Sequence, residues 1–322
     1  MRKAMLRVAL SVALFALTLQ AFGQSYPTRP IRMIIPYPPG GGSTNIGRLL
    51  AQELSENIGQ QLVVDNRGGA NGTIGMELAA QAPSDGYTIV FALTAQLAIN
   101  PSYYPELRYD PVRDYAPISL LGTAPYVLVA HPSVPAKSVK EMLALAKSQP
   151  GKLTYASSGT GGIPHLAFEM LKMMGGIDIP HVPYKGGGAA LPDLLGGRVQ
   201  FLISTVSPVL PHLRSGKLRP LGATSPKRVP SLPGVPSIGE TIPGYAVLTW
   251  YAVMAPAGTP KNVVAKLNAE FVKAVNAPAV KEKLRTYDFE VIGSTPEELG
   301  KYIRSEIATW AKAVKASGAK AN

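Results

Sequence analysis

Three glycine-rich segments hold the residues best suited to chemistry. The first is Pro36-Tyr37-Pro38-Pro39-Gly40-Gly41-Gly42-Ser43-Thr44-Asn45, entered from the apolar run Ile31 to Ile35. Beyond it Ile46, Leu49, Leu50, Leu54 and Ile58 recur at the three- and four-residue spacing of one buried helix face. A strand, a glycine loop and a helix start present backbone N–H groups without intrahelical partners, with the positive end of the helix dipole behind them. That is a cradle for an anion, and a carboxylate is the expected guest. Ser157-Ser158-Gly159-Thr160-Gly161-Gly162 repeats the device in the second half of the chain, with His165 in the helix it opens. Tyr184-Lys185-Gly186-Gly187-Gly188 is a third such helix start, and it carries a cation. Two strand ends, Thr94-Ala95-Gln96 and Ser204-Thr205, add hydroxyls and an amide.

Other chemistries fit these residues poorly. No Gly-Lys-Ser/Thr follows Gly40 to Gly42, and the spaced glycines of a dinucleotide loop are absent. A serine nucleophile at Ser157 or Ser158 would lack the G-x-S-x-G elbow, and no acid is evidently placed to orient His165. His131, His165, His181 and His212 show no metal-ligand spacing, and with no cysteine neither a metal site nor a cofactor is expected. The net charge of +12 suits small anions, since the basic residues are scattered without interleaved aromatics and nucleic acid is not the expected partner.

The elements that must position these loops alternate. After the first helix come a strand at Gln61 to Asp65, a helix at Thr73 to Ala82 and a strand at Tyr87 to Leu93. Pro101 to Pro117 reads as irregular, Tyr126 to Ala130 as a strand, and Ser138 to Glu141 as a capping box opening a helix. The alternation restarts with strands at Lys152 to Ala156, Ile179 to Pro183 and Val199 to Ile203, and helices at Pro164 to Met174 and Ala189 to Leu195. Pro226 to Gly244 reads as a long irregular return. Thr295-Pro296-Glu297-Glu298 caps a last helix whose stripe is Leu299, Ile303, Ile307, Trp310 and Val314. Such alternation implies an α/β fold of mostly parallel sheets flanked by helices, with ligands beyond the carboxyl ends of the strands. At the N-terminus Arg2, Lys3 and Arg7 precede the apolar run Val8 to Leu17 and the small residues around Ala21 and Gly23. Residues 1–23 are therefore expected to be a signal peptide, cleaved near Gly23 and delivering the chain to the periplasm.

Many short motifs, in order, resemble those of the Bug-type extracytoplasmic solute receptors, the binding proteins of tripartite tricarboxylate transporters. They include Tyr26-Pro-x-Arg-Pro-Ile-Arg, Ile35-Pro-Tyr-Pro-Pro-Gly-Gly-Gly, Val64-Asp-Asn-Arg and Ser84-Asp-Gly-Tyr-Thr. Tyr155-Ala-Ser-Ser-Gly, His165-Leu-Ala, Val182-Pro-Tyr-Lys-Gly and Ala255-Pro-Ala-Gly-Thr-Pro continue the series. The resemblance spans the mature chain. It implies a two-lobe periplasmic binding protein of the Venus-flytrap, type II-like kind, a monomer and not an enzyme. Residues 24–123 and 248–322 would form lobe 1 and residues 124–247 lobe 2, with crossings near Leu121 to Tyr126 and Ala246 to Trp250. A small carboxylate would sit between the lobes and pass to membrane permease subunits; a sensor role for a two-component system is the alternative. Carried onto this chain, the ligand-binding set is Tyr37, Gly40 to Asn45 and Thr94 to Gln96 from lobe 1. Ser157 to Gly161, His165, Lys185 to Gly187, Ser204 and Thr205 come from lobe 2. Relatives commonly carry an acid where this chain has Thr44, and Asp-Asn where it has Ser204-Thr205. Both losses point away from an amino-acid ligand and toward a di- or tricarboxylate or an aromatic acid.

Overall fold

The computed structural model describes residues 26–317, so the leader expected at residues 1–23 lies outside the described residues. Strand β1 (Ile31–Ile35) pairs in parallel with β2 (Leu62–Asn66) and β3 (Thr88–Leu93). Helices α1 (Gly42–Ile58) and α2 (Thr73–Ala80) cover the connections. Ile46, Leu50 and Leu54 are buried against β1 and β3, as the helical spacing predicts. After β3 a π-type turn, Ala95–Ile99, runs into the short helix α3 (Asn100–Tyr103).

The next strand departs from the sequence reading. β4 runs from Tyr115 to Ala130, so it begins inside the stretch expected to be irregular. Pro117, Gly122 and Pro125 disguise it, and its pairing slips in register between Pro117 and Ser119 and again between Leu120 and Gly122. From Tyr115 to Pro125 it pairs antiparallel with β9 (Leu248–Pro256); from Tyr126 to Ala130 it pairs antiparallel with β7 (Phe201–Thr205) and β8 (Arg219–Ala223). One strand therefore belongs to two sheets.

The second sheet repeats the parallel theme. β5 (Tyr155–Ser157) pairs in parallel with β6 (His181–Pro183) and β7, with α4 (Val139–Ser148), α5 (Ile163–Gly175) and α6 (Gly187–Leu195) packed around it. Helix α7 (Val206–Arg214) follows β7 directly. The sequence reading assigned no helix there, because Pro208 and Pro211 interrupt the pattern; both are accommodated. The remaining elements are α8 (Lys261–Asn276), α9 (Pro278–Arg285), β10 (Glu290–Val291) and α10 (Pro296–Ser317). The full strand order is β2-β1-β3-β9-β4-β7-β5-β6, with β8 and β10 also on β4. Each sheet is thus parallel at its outer strands and antiparallel where β4 joins, a mixed sheet within the expected two-lobe α/β architecture.

Two passages connect the sheets, at Pro125–Tyr126 and at Val247–Leu248. Buried Thr224, just beyond β8, holds both. Its hydroxyl accepts from Tyr126 N at 2.8 Å and lies 2.6 Å from Val247 O, its amide donates to Tyr126 O, and its carbonyl accepts from Val247 N. Helix α10 crosses the same region. Leu299 and Ile303 pack with Trp250 of the first lobe, Val314 joins the core of the second, and Trp310 touches both. Glu306 fixes this crossing by accepting from Trp250 Nε1 at 2.8 Å and Trp310 Nε1 at 3.3 Å. Replacing Thr224 with Val keeps the shape but strands the Tyr126 amide. The expected loss is about 1–3 kcal/mol of unfolding free energy, read by urea titration, with Thr224→Ser retaining most of the stability.

Candidate ligand site

Four helices direct their first turns at one small space between the lobes. Gly41, Gly42 and Ser43 arrive from the start of α1, Pro164 from α5, Gly187 from α6, and Thr205 and Pro208 from α7. None of the four N-cap residues (Gly41, Gly162, Gly186, Thr205) makes a side-chain cap bond. Elsewhere Ser138 caps α4 and Thr295 caps α10 through a reciprocal pair with Glu298. The starts of α1, α6 and α7 therefore leave amides for a guest, whereas α5 meets the space through Pro164, which has no N–H to give.

The cleft has two chambers. The inner one, about 60 Å³, is closed by Tyr37, Leu93, Tyr126, Ile203, Ser204 and Tyr251 in addition to the helix starts. The outer one, about 260 Å³, shares Tyr37, Pro38 and Ser158 with it and opens past Gly159, Thr160, Tyr184, Lys185 and Gly186. Among the described residues no charged side chain lines the inner chamber, and Lys185 is the one charged side chain lining the outer.

Several residues of the expected set stand behind these walls. Thr94, Ala95 and Gln96 are buried and line neither chamber. Gln96 instead accepts from Leu93 N at 3.1 Å and donates to Tyr37 Oη and Asn71 O, both at 2.9 Å. It thereby fixes the Tyr37 ring, whose hydroxyl burial pushes up to about 12. Thr44 is likewise turned into its own lobe: its hydroxyl accepts from Asn66 Nδ2 at 2.9 Å and reaches Pro38 O at 3.4 Å. Asn45 reaches across the lobes to Ser207 Oγ at 3.4 Å. Gly40 also lines neither chamber; it faces Gly188 of α6. Tyr126 and Tyr251 were missed by sequence reasoning. Nothing local marks them, and only the antiparallel pairing of Tyr251 with Leu93 brings that residue to the cleft.

The Ser157 loop is built differently from the other helix starts. Its Gly159 amide donates to Ser157 Oγ and its Gly161 amide to His165 Nδ1, each at 3.1 Å, so these donors are already used. Ser157 is fully buried and its hydroxyl also meets His181 Nε2 at 2.6 Å. His181 stacks between Tyr155 and His165, at 4.8 and 4.2 Å between ring centroids. Glu169 is bonded to Tyr155 Oη and Lys172 Nζ, at 2.6 and 2.9 Å. A Ser–His contact thus exists, with His181 where the sequence suggested His165. Its serine is sealed under the loop, and the nearby acid is engaged elsewhere. The cluster braces a loop; it presents no nucleophile. Ser158, Gly159 and Thr160 are the parts of the loop that line the cleft, while Ser157, Gly161 and His165 support them.

The lobes touch where side chains are smallest. A Cβ on Gly188 would stand 2.8 Å from Pro39 O and 3.0 Å from the Gly40 carbonyl carbon, and one on Gly42 would overlap Thr205 Oγ1. Both positions require glycine for this approach.

Two mixed α/β lobes joined by paired crossings, with helix starts converging on the cleft between them, define a solute-binding protein. The model of the tripartite tricarboxylate transporter family receptor matches residues 46–319, and the chain belongs to that family. It is 36% identical over 315 residues to protein BugT of Bordetella pertussis, covering 97% of each chain. An R. palustris protein solved with adipate superposes with a TM-score of 0.89 at 36% identity, over 92% of this chain and 99% of that one. MatC of Rhodopseudomonas palustris with bound malate gives 0.84 at 29% identity, over 90% and 100%. The family is one of transporter receptors, and this chain is not an enzyme.

Burial holds both histidines of the loop brace below their ordinary value of 6.5, His181 at about 4, with Lys172 adding to the shift and Glu169 opposing it. The folded protein thus binds fewer protons here than the unfolded chain. The stability from the neutral pair is fully present above pH 6.5 and is lost as pH falls from 6.5 toward 4. Melting temperature is expected to fall across that window. His181→Asn, which can still bond Ser157 but does not titrate there, should flatten the decline; an unchanged slope would assign it to other groups.

Proposed function

We propose that this protein is a periplasmic receptor that captures a small carboxylate, a di- or tricarboxylate or an aromatic acid, between its lobes. It delivers that acid to the permease of a tripartite tricarboxylate-type transporter. The observation that carries this reading is the inner chamber: the uncapped first turns of α1, α6 and α7 and, among the described residues, no charged side chain of either sign. Taking a carboxylate out of water without partners costs several kcal/mol. Each hydrogen bond to a charged acceptor returns about 1.5–3 kcal/mol, so a few oriented amides suffice without an arginine. Membership of the receptor family, and neighbours holding adipate and malate, support the same ligand class.

In this proposal residues 24–123 with 248–322 form one lobe and residues 124–247 the other. The ligand-binding set is Tyr37, Gly41 to Ser43, Ser158 to Thr160, Lys185 to Gly187, Ser204 and Thr205, with Gly40, Thr44, Asn45, Ser157 and Gly161 supporting them from behind. Thr94 to Gln96 and His165 act through the walls they support. The basic surface draws anions in, and closure about the Thr224 clasp joins donors from both lobes around the acid. An amino acid is disfavoured, because an ammonium would find no acidic side chain lining either chamber.

Calorimetry with succinate, adipate, malate, citrate, nicotinate, terephthalate, aspartate and glutamate tests the reading. At least one acid without an ammonium is expected to bind more tightly than either amino acid; the reverse order would sink the assignment. Gly188→Ala separates closure from folding. Alanine suits the α6 interior better than glycine, so unfolding stability should not drop. The added methyl meets Pro39 and Gly40, so the affinity for that acid should fall at least tenfold (about 1.4 kcal/mol). An unchanged affinity would show that the lobes need not approach this closely.

A further inference from the structure

One polar group in the inner chamber has no partner. Tyr251 lies on β9, opposite Leu93, in the first lobe. It is fully buried, and its hydroxyl makes no hydrogen bond among the described residues. Phe91 and Phe289 flank its ring at centroid distances of 5.7 and 5.4 Å, so the ring is held by apolar neighbours. Tyr37, which lines the same chamber, differs: Gln96 donates to its hydroxyl at 2.9 Å. A buried hydroxyl left unpaired costs free energy that nothing in the core recovers. Tyr251 lines the same small chamber as the free helix starts of α1 and α7. A proton donor held rigidly there, with its acceptor missing from the protein, is matched by an acceptor on the solute.

We infer that Tyr251 is a ligand-contacting and specificity-determining residue, its hydroxyl donating a hydrogen bond to the innermost carboxylate of the bound acid. The inference rests on the solute-receptor reading and deepens it by fixing which end of the ligand goes inward. The inner chamber admits little more than one carboxylate head, and the larger outer chamber, reached past Tyr37 and Ser158, takes the rest of the molecule. The ligand is thus an acid whose anionic head enters first and whose body extends toward Lys185.

Tyr251→Phe removes the hydroxyl and keeps the ring. Two measurements on the purified full chain decide the matter. In ligand-free protein the melting temperature should hold or rise, because an unpartnered polar group has gone. A drop of several degrees would mean the hydroxyl has a structural partner and would overturn the inference. By calorimetry with adipate and malate as probes, the variant should bind about 10- to 100-fold more weakly than the parent, the loss of one hydrogen bond to a charged acceptor. Equal affinity in parent and variant would overturn the Tyr251 assignment while leaving the receptor reading intact. Failure of the parent itself to bind adipate, malate or any acid of the wider panel would instead overturn the receptor reading, and this inference with it.

Discussion

The cleft depends on how closely the two lobes approach at their glycines. Gly188 of α6 meets Pro39 and Gly40, and Gly42 of α1 meets Thr205, at separations that leave no room for a β-carbon. Side chains at these points would hold the lobes apart by their own thickness, and the helix starts behind them would then face water. The contact is also what makes the inner chamber small. Its walls are strand ends and helix first turns from both lobes, so its volume depends on the angle between them. Parallel βα units place their loops at this edge of each sheet in any case. What the glycines add is permission for the two edges to meet.

That approach needs a rigid frame on either side and a defined joint between. Thr224 supplies the joint, since one hydroxyl and one peptide unit bind both crossing segments. β4 runs as one strand from one sheet into the other, and α10 lies across both cores. The loops are braced in different ways. The Tyr37 segment leans on Gln96, Asn66 and Asn71, while the Ser157 loop leans on two stacked histidines. Each brace is neutral. A charged brace beneath the cleft would impose its own field on an anion site, whereas stacked neutral imidazoles and amides orient the loop without doing so.

The sequence showed the parts and hid the joints. The βα alternation, the helix starts and the stripe of α10 follow from local spacing, and all appear within a few residues of expectation. β4 was half lost because Pro117 and Pro125 read as breakers, whereas the strand tolerates them at register slips and at the lobe passage. α7 was lost to Pro208 and Pro211. At the cleft, glycine and hydroxyl motifs were legible because they break the background pattern. Tyr126 and Tyr251 were not, since each lies in an apolar strand where a tyrosine looks like core. Their meaning depends on antiparallel pairings between distant segments, Tyr126 with Thr205 and Tyr251 with Leu93, which no local spacing encodes. Gln96 and His165 carry the right polarity for a ligand site but line neither chamber, their side chains engaged by Tyr37 and by the Gly161 amide, a distinction set by which way a side chain turns.

Binding an anion without a cation has a consequence for how such a receptor works. An arginine could hold a carboxylate bidentately from one lobe alone. Here the donors are divided: α1 and Tyr251 stand on the first lobe, and α6 and α7 on the second. In the proposed mechanism neither half replaces the water a carboxylate loses, so the open form holds the acid weakly. Affinity then arises mainly on closure, and the same contacts that favour the ligand favour the closed lobes. Release needs only that a partner pry the lobes apart, because half of the donors leave with the moving lobe. A site built on a strong cation would bind well in either state and would signal its occupancy less sharply. The absence of charge in the inner chamber is therefore what couples occupancy to shape.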